Sequence, residues 1–298
     1  MFDNVVIGFD GSDQGRDALA LGRLLANPAK ATITAACVYE TRDIWAHPLF
    51  GDWLAEVRAE AERTLAGAGA DVQKQTFDAS SPARGLHNLA EYVKADLLVV
   101  GSCHRGPVGR VVAGSVAQGL LHGSPCAVAV APRGFAGRER MALDLIGVGY
   151  DASEEARVAL SAASQLAERA HARLLLVGVA SLPRNSLGTG SLEGDRELIE
   201  ARRAQLEQTL REALDPLPGA ISAETSLVTG TTDVLGEDGL VDVLFLGSRG
   251  YGPLRRVLLG STSARLIHHA ECPVVVFPRG VAESAGLDRP AAAAATAD

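Results

Sequence analysis

Lysine is almost absent from this chain. Lys30, Lys74 and Lys94 are the only three, and the chain carries 36 Asp and Glu residues with a formal net charge of −8. No run of basic residues interleaved with aromatics occurs. An acidic chain without a basic patch gains little from phosphate backbones or acidic lipid surfaces. We therefore expect no nucleic-acid partner and no membrane partner.

Cysteine is also scarce and lacks the spacing of a disulfide framework or a metal site. No CxxC pair occurs among Cys37, Cys103, Cys126 and Cys272, and a chain of 298 residues does not need disulfides to hold a core. Nowhere do 18 apolar residues follow one another, and the first residues do not form a basic segment followed by an apolar one. We expect reduced thiols, no metal ligands, no export signal, no membrane span and a cytoplasmic location.

Several catalytic signatures are missing as well. The chain contains no Gly-Lys-Ser or Gly-Lys-Thr of a P-loop, no Gly-x-Ser-x-Gly elbow and no Ser-Gly-Gly-x-Asp-Ser loop. We therefore assign no catalytic residue. A slow ATP-hydrolysing or adenylyl-transferring enzyme stays open as an alternative function.

What the chain does contain is a glycine-rich turn written twice, 146 positions apart. One copy runs from Gly101 to Ser115 and the other from Gly247 to Ser261. Glycine lets backbone amides approach a phosphate closely, and the N-terminus of a following helix adds partial positive charge there. The repeat indicates two phosphate-binding turns in tandem.

The rest of each half repeats too. Val5 to Ser12 and Leu145 to Ser153 are both apolar runs that end in aromatic-Asp-small-Ser, followed by helical spacing of apolar residues. The runs at 96–100 and 242–246 are almost wholly apolar, which is typical of parallel strands buried on both faces. We predict five strands alternating with four helices in each half, in an α/β fold.

The candidate site of each half lies where the strand order reverses. Asp10 and Asp151 end the first strands, and the glycine turns follow the fourth strands. If those strands are neighbours, the carboxylate would accept from an adenine amino group or a ribose hydroxyl, while turn amides and Ser115 or Ser261 bind phosphate. A purely structural alternative is that both Asp residues cap helices and that the glycines only allow tight packing.

The turn of the second half matches a known signature: Gly, two residues, Gly, nine residues, Gly, then Ser or Thr. It reads Gly247, Gly250, Gly260 and Ser261, and the chain thereby resembles a tandem universal stress protein. The resemblance implies two Rossmann-like sheets of the adenine nucleotide alpha hydrolase type, doubly wound, five-stranded and parallel, with strand order 3-2-1-4-5. It also implies ATP or a related adenine nucleotide as ligand, with Mg²⁺ as a candidate companion ion.

By the same resemblance, each half has a set of nucleotide-binding positions, with backbone groups of Val179 serving the adenine. In the second half they are Asp151, Val179, Gly247, Gly250, Gly260, Ser261 and Thr262. In the first half they are Asp10, Val38, Gly101, Gly114, Ser115 and Val116. The first half departs from the signature, because His104 stands where the second glycine belongs.

The predicted domains are residues 1–133 and 142–279, with a polar connector between them and a mobile C-terminal tail at 280–298. The resemblance implies that the last strands, near 127–131 and 273–277, pair the halves as an intramolecular pseudo-dimer. A homodimer and an unknown regulatory protein partner are further expectations. The implied function is a nucleotide-binding regulator of the stress response, with the enzyme above and a nucleotide-free scaffold as alternatives.

Overall fold

A computed structural model describes residues 2–41, 50–103, 108–138, 143–180, 192–229, 240–248 and 270–279. Predictions that fall on His104, Gly250, Gly260, Ser261, Thr262 and the tail at 280–298 therefore lie outside the described residues.

The described strands form one ten-stranded sheet in the order β3-β2-β1-β4-β5-β10-β9-β6-β7-β8. Each half has the strand order 3-2-1-4-5, as expected, and all pairs within a half are parallel. The strands are β1 Asn4–Gly8, β2 Thr32–Glu40, β3 Gln73–Ala79, β4 Leu97–Gly101, β5 Ala127–Ala131, β6 Leu145–Gly149, β7 Arg173–Ala180, β8 Ala223–Thr229, β9 Val243–Gly247 and β10 Val274–Phe277.

Six α-helices cover the sheet within the described ranges. They are α1 Asp13–Leu25, α2 Phe50–Ala66, α3 Pro82–Val93, α4 Ser115–Leu121, α5 Glu154–Ala170 and α6 Leu192–Leu214. Alternate residues of the central strands point to opposite faces, so that Val5 and Ile7 join the core under α1 and α5, while Val6 joins the core under α3 and α4. The α/β prediction is confirmed, and the predicted strand limits differ from these by one or two residues.

The two halves meet through β5 and β10, which pair antiparallel with Ala129 opposite Val275. These are the strands expected to join the halves. The pairing leaves neither strand as an open edge at the centre of the sheet. At one end of this junction the ring of Phe277 stacks on Phe2 of the first half at 6.3 Å and on Phe245 of the second half at 6.2 Å.

The connector between the halves is fastened to α1. The buried Asp17 carboxylate accepts a hydrogen bond from the Gly134 amide at 2.7 Å and from the Ala136 amide at 2.8 Å. A buried carboxylate needs such donors because it has lost its water. The described part of the connector, which ends at Arg138, is thus part of the folded unit.

Candidate functional site

The first and fourth strands of each half are neighbours, which is the condition for the predicted crevices. β1 pairs with β4 and β6 pairs with β9. Asp10 therefore lies beyond the end of β1, beside the end of β4 at Gly101, and Asp151 lies in the same way beside Gly247. Because β5 and β10 run antiparallel, the two crevices lie at opposite edges of the ten-stranded sheet.

The Asp that follows the first strand of each half accepts hydrogen bonds from the serine that caps the next helix. Asp10 Oδ1 accepts from the Ser12 amide at 3.1 Å and from the Ser12 hydroxyl at 2.5 Å. Ser12 Oγ in turn accepts from the Gly15 amide at 3.1 Å and is the N-cap of α1. In the second half Asp151 and Ser153 repeat this arrangement. The serines, not the aspartates, are the caps, and the Asp10 side chain is exposed at the crevice.

The residue between Asp and Ser adopts the left-handed region in both halves. Gly11 has φ +76° and Ala152 has φ +62°. Glycine takes this conformation freely, whereas a residue with a Cβ is strained there. The turn geometry is thus the same in both halves, although only the first half has a glycine at the left-handed position.

The first glycine of each turn is explained by packing. A Cβ on Gly101 would lie 2.3 Å from the Gln14 carbonyl oxygen, and one on Gly247 would lie 2.7 Å from the Ala156 amide nitrogen. The end of β4 or β9 is pressed against the first turn of α1 or α5. The structural alternative therefore accounts for Gly101 and Gly247 without a ligand.

Gly114 is different, because nothing in the described structure requires a glycine there. It is the N-cap residue of α4 in extended backbone, and a Cβ would only make ordinary contacts with Cys103 at 3.7 and 3.8 Å. Ser115 beside it is exposed and Val116 is half-buried. A ligand that approaches the backbone closely at Gly114 would explain why a glycine stands there.

Val38 and Val179 present backbone to the crevices. Phe9 donates to the Ala36 carbonyl and Tyr150 to the Val177 carbonyl, which are the last bonds joining β2 to the β1 chain and β7 to the β6 chain. The direction of the backbone carbonyls alternates along a strand. The carbonyls of Val38 and Val179, two residues further on, therefore point to the same side as those of Ala36 and Val177, beyond the last strand pairs. Their side chains pack against the core on the face of the sheet that α3 and α4 cover in the first half. The backbone role that the resemblance implies for these positions fits this geometry.

Two cysteines flank the first crevice: Cys103 belongs to the glycine-rich turn, whereas nothing in the sequence places Cys37 there. Cys37 is half-buried on β2, and burial, with a smaller contribution from the nearby Asp10 carboxylate, raises the pKa of its thiol. Cys103 is half-buried after β4, and its amide donates to the Val112 carbonyl at 2.7 Å. No motif marks Cys37, because only the pairing of β2 with β1 brings it near Asp10.

Arg110, which lies in the first-half turn, has a partner in the other half. Its guanidinium pairs with the Glu271 carboxylate of the second half. Within the described ranges no group of three or more His, Cys, Asp or Glu side chains forms a candidate metal site, and no helix has the length and apolar content needed to span a membrane.

A doubly wound α/β fold with two switch-point crevices defines a broad class of ligand-binding proteins. Comparison with known proteins narrows it. The model of the universal stress protein family matches residues 1–132 and again residues 143–278. The chain therefore belongs to the universal stress protein family.

Individual relatives agree with this assignment. A universal stress protein of Mycobacterium tuberculosis (strain ATCC 25618 / H37Rv) is 29% identical over 299 residues, covering 92% of this chain and 99% of that protein. A shorter relative from Thermus aquaticus is 31% identical over 133 residues, covering 43% of this chain and 97% of its own length. A crystal structure of a universal stress protein from Archaeoglobus fulgidus DSM 4304 has a TM-score of 0.61 at 19% identity, covering 93% of this chain and 98% of that one, and shows the same fold.

Proposed function

We propose that this protein is a nucleotide-responsive regulator that binds ATP or a related adenine nucleotide in the crevices at the ends of β1 and β4 and of β6 and β9. The observation that carries the proposal is that three features lie at one switch point: an exposed Asp10 carboxylate, the outward backbone of Val38, and Gly114, where an added Cβ would make only ordinary contacts. Bound nucleotide would alter the surface offered to a partner protein.

The residues present fit such a ligand in three respects. An Asp carboxylate can accept from an amino or hydroxyl group, a strand-end backbone can pair with the edge of a base, and a glycine followed by an exposed Ser can receive a phosphate. In the second half, Asp151, Val179 and Gly247 correspond to these positions, together with Gly250, Gly260, Ser261 and Thr262 of the matching signature. Mg²⁺ would have to be held mainly by the phosphates and water, as Mg²⁺ commonly is.

The first experiment asks whether any adenine nucleotide binds. The purified chain is denatured and the supernatant is analysed by mass spectrometry for released nucleotide, and the native chain is titrated with ATP, ADP, AMP and cyclic AMP. A ligand at about 100 times its Kd raises the unfolding free energy by about 2.7 kcal/mol, which shifts Tm measurably. Neither release nor a shift with any of the four would overturn the proposal in favour of a nucleotide-free scaffold.

A second experiment places the phosphate. Gly114→Ala adds a methyl group that makes only ordinary contacts, so that the fold tolerates it, but the methyl occupies the proposed approach to the backbone. We expect nucleotide affinity of the first half to fall about tenfold or more, by analogy with other losses of close backbone approach. Gly123→Ala is the matched control, because a Cβ there meets no atom within 4 Å. Equal affinity in the two variants would place the phosphate elsewhere.

The rate of cysteine alkylation reports on ligand binding in the first crevice alone. Nucleotide should slow alkylation of Cys103 and Cys37, which lie at the two sides of the proposed site. Burial raises the pKa of Cys126 to about 12 and that of Cys272 to about 12, so both should stay unreactive in the native protein with or without ligand. Alkylation of Cys103 that is not slowed at saturating nucleotide would show that the first half binds none.

Product formation followed over many hours in the same samples separates a binder from a slow ATPase.

A further inference from the structure

The segment that returns from the first-half turn to Gly114 is bonded to the second half. The Val111 amide donates to the Ala270 carbonyl at 2.6 Å, and the Arg110 guanidinium pairs with the Glu271 carboxylate. Val111 and Ala270 are both completely buried. The chain leading into the proposed phosphate position is thus held from across the β5–β10 pairing.

The same segment is bonded on its other side to the end of β4. The Val112 carbonyl accepts from the Cys103 amide at 2.7 Å, and the Val112 amide donates to the buried Ser102 hydroxyl at 3.2 Å. Gly114 follows two residues after Val112. A shift of Arg110 and Val111 would therefore be passed directly to the backbone at Gly114.

Glu271 is held by two arginines, Arg110 of the first half and Arg138 of the connector. Its carboxylate pairs with Arg110, and its carbonyl accepts from Arg138 at 3.2 Å. The Glu271 side chain is only 18% exposed, which screens the pair less than a fully solvated one. Arg110, Val111, Arg138, Ala270 and Glu271 together form what we call the inter-half junction.

The junction has no equivalent carboxylate in the opposite direction. The repeat that aligns Cys272 with Cys126 places Pro125 at the position of Glu271, and the 146-residue interval places Arg256 at the position of Arg110. Proline cannot form an ion pair. At this aligned position the sequence therefore supplies a carboxylate to the turn of the first half and a proline to that of the second.

We propose that Glu271 is a positioning residue for the nucleotide pocket of the first half. It holds Arg110 and Val111 so that the backbone at Gly114 is set for phosphate, and the first-half pocket depends in this way on the second half. The proposal rests on the proposed function, since it concerns the same pocket. It adds a directional dependence between the two halves that their sequence similarity would not indicate.

The test uses the full chain with Glu271→Gln, which keeps the size of the side chain and removes its charge. We expect Kd for ATP in the first half, measured by protection of Cys103 from alkylation, to rise about three- to tenfold. Glu207→Gln is the control, because it removes the carboxylate of an exposed ion pair with Arg211 on α6, away from the junction. The charge-swapped double variant Arg110→Glu with Glu271→Arg should recover most of the affinity, which loss of packing alone would not predict.

Hydrogen exchange of the Val111 and Val112 amides in the nucleotide-free protein gives a readout that does not need binding. Faster exchange in Glu271→Gln, and slower exchange again in the swapped variant, is expected. Wild-type protein that binds no nucleotide would overturn the proposed function. Wild-type binding with an unchanged Kd and unchanged exchange in Glu271→Gln, or a loss that the swap does not restore, would overturn the positioning role alone.

Discussion

At the scale of single residues, the turn after the first strand shows how one geometry can be served by two sequences. Asp10 and Asp151 hold Ser12 and Ser153 in the same way, although the residue between them is Gly11 in one half and Ala152 in the other. The carboxylate is therefore engaged in shaping the turn before any ligand arrives. A ligand that also uses it would bind a group that is already fixed in place.

The strain at Ala152 leads to a prediction about stability. Ala152→Gly should raise the free energy of unfolding by about 0.5–1 kcal/mol, because relief of a left-handed Cβ, about 1–2 kcal/mol, exceeds the added entropy of the unfolded chain. Chemical denaturation measures it. Ala204→Gly, at an exposed position of α6, should instead lower the free energy of unfolding by about 1 kcal/mol. A destabilised Ala152→Gly would show that the backbone is not strained there.

The roles of individual glycines could not be separated from sequence. Gly101 and Gly114 belong to the same turn, yet the first is required by the approach of α1 and the second is not. That distinction depends on which backbone atoms come within contact distance in three dimensions. Composition and spacing carry no information about it.

At the scale of elements, the first and second halves are joined on one face of the sheet by Arg169 near the end of α5. Its guanidinium donates to the Ala26 carbonyl at 2.6 Å and to the Leu24 carbonyl at 3.1 Å, at the end of α1. Carbonyls at a helix end lack partners within the helix, and a cation there also complements the helix dipole. The shorter α1 and the longer α5 are thus connected directly.

Replacing Arg169 tests this contact. Arg169→Met keeps most of the aliphatic chain and should lower the free energy of unfolding by about 1–3 kcal/mol, because two partly buried carbonyls lose charged donors. Arg157→Met, at an exposed position of the same helix, should change it by less than about 0.5 kcal/mol. Similar losses in the two variants would mean that the inter-half contact contributes nothing specific.

A second element-scale prediction concerns pH. Arg23 of α1 donates to both carboxylate oxygens of Asp71, at 2.8 and 2.6 Å, and chiefly for this reason the pKa of Asp71 is lowered from 3.8. A carboxyl whose folded pKa is lowered contributes stability above its unfolded pKa and loses it as the pH falls through the folded value.

Asp71→Asn should therefore destabilise the protein near neutral pH by at most about 1 kcal/mol, since both side chains are largely exposed. The difference from wild type should shrink as the pH is lowered below 3.8. Unfolding curves across this range measure it, with Asp215→Asn at the end of α6 as a control. A difference that stays constant with pH would contradict the charged contact.

The elements themselves were accessible to sequence reasoning, since the apolar runs of β4 and β9 and the helical spacing in α1 and α5 determine them locally. The connector was not. Asp17 reads as one more polar residue of an amphipathic helix, and only the folded chain shows its carboxylate beneath Gly134 and Ala136. Contacts between residues over 100 positions apart, such as Arg110 with Glu271, leave no local pattern.

At the scale of the whole molecule, the continuous sheet predicts that the halves unfold together. Phe277 of the second half packs between Phe2 and Phe245, and it is almost completely buried. Phe277→Ala should lower the free energy of unfolding by about 3–5 kcal/mol because of the cavity it leaves, and Phe277→Leu should lower it much less.

Both tryptophans, Trp45 and Trp53, belong to the first half. We expect tryptophan fluorescence and circular dichroism to report the same lowered midpoint in Phe277→Ala. An unchanged fluorescence midpoint would show that the first half unfolds independently.

The family resemblance allowed the strand order of each half, and the strands that join the halves, to be predicted. It did not reveal how unequal the halves are. Pro125 corresponds to Glu271 and Ala152 corresponds to Gly11. The first difference matters through the contact between the halves, and the second through the left-handed backbone at Ala152.

The antiparallel union of β5 and β10 has a consequence for signalling. A partner protein that docks along one rim of the sheet contacts the crevice of one half only, and it would have to reach along the full length of the strands to contact the other. Two separate partners could therefore read two separate messages from the same polypeptide, and fusion of the halves into one chain frees each rim to specialise.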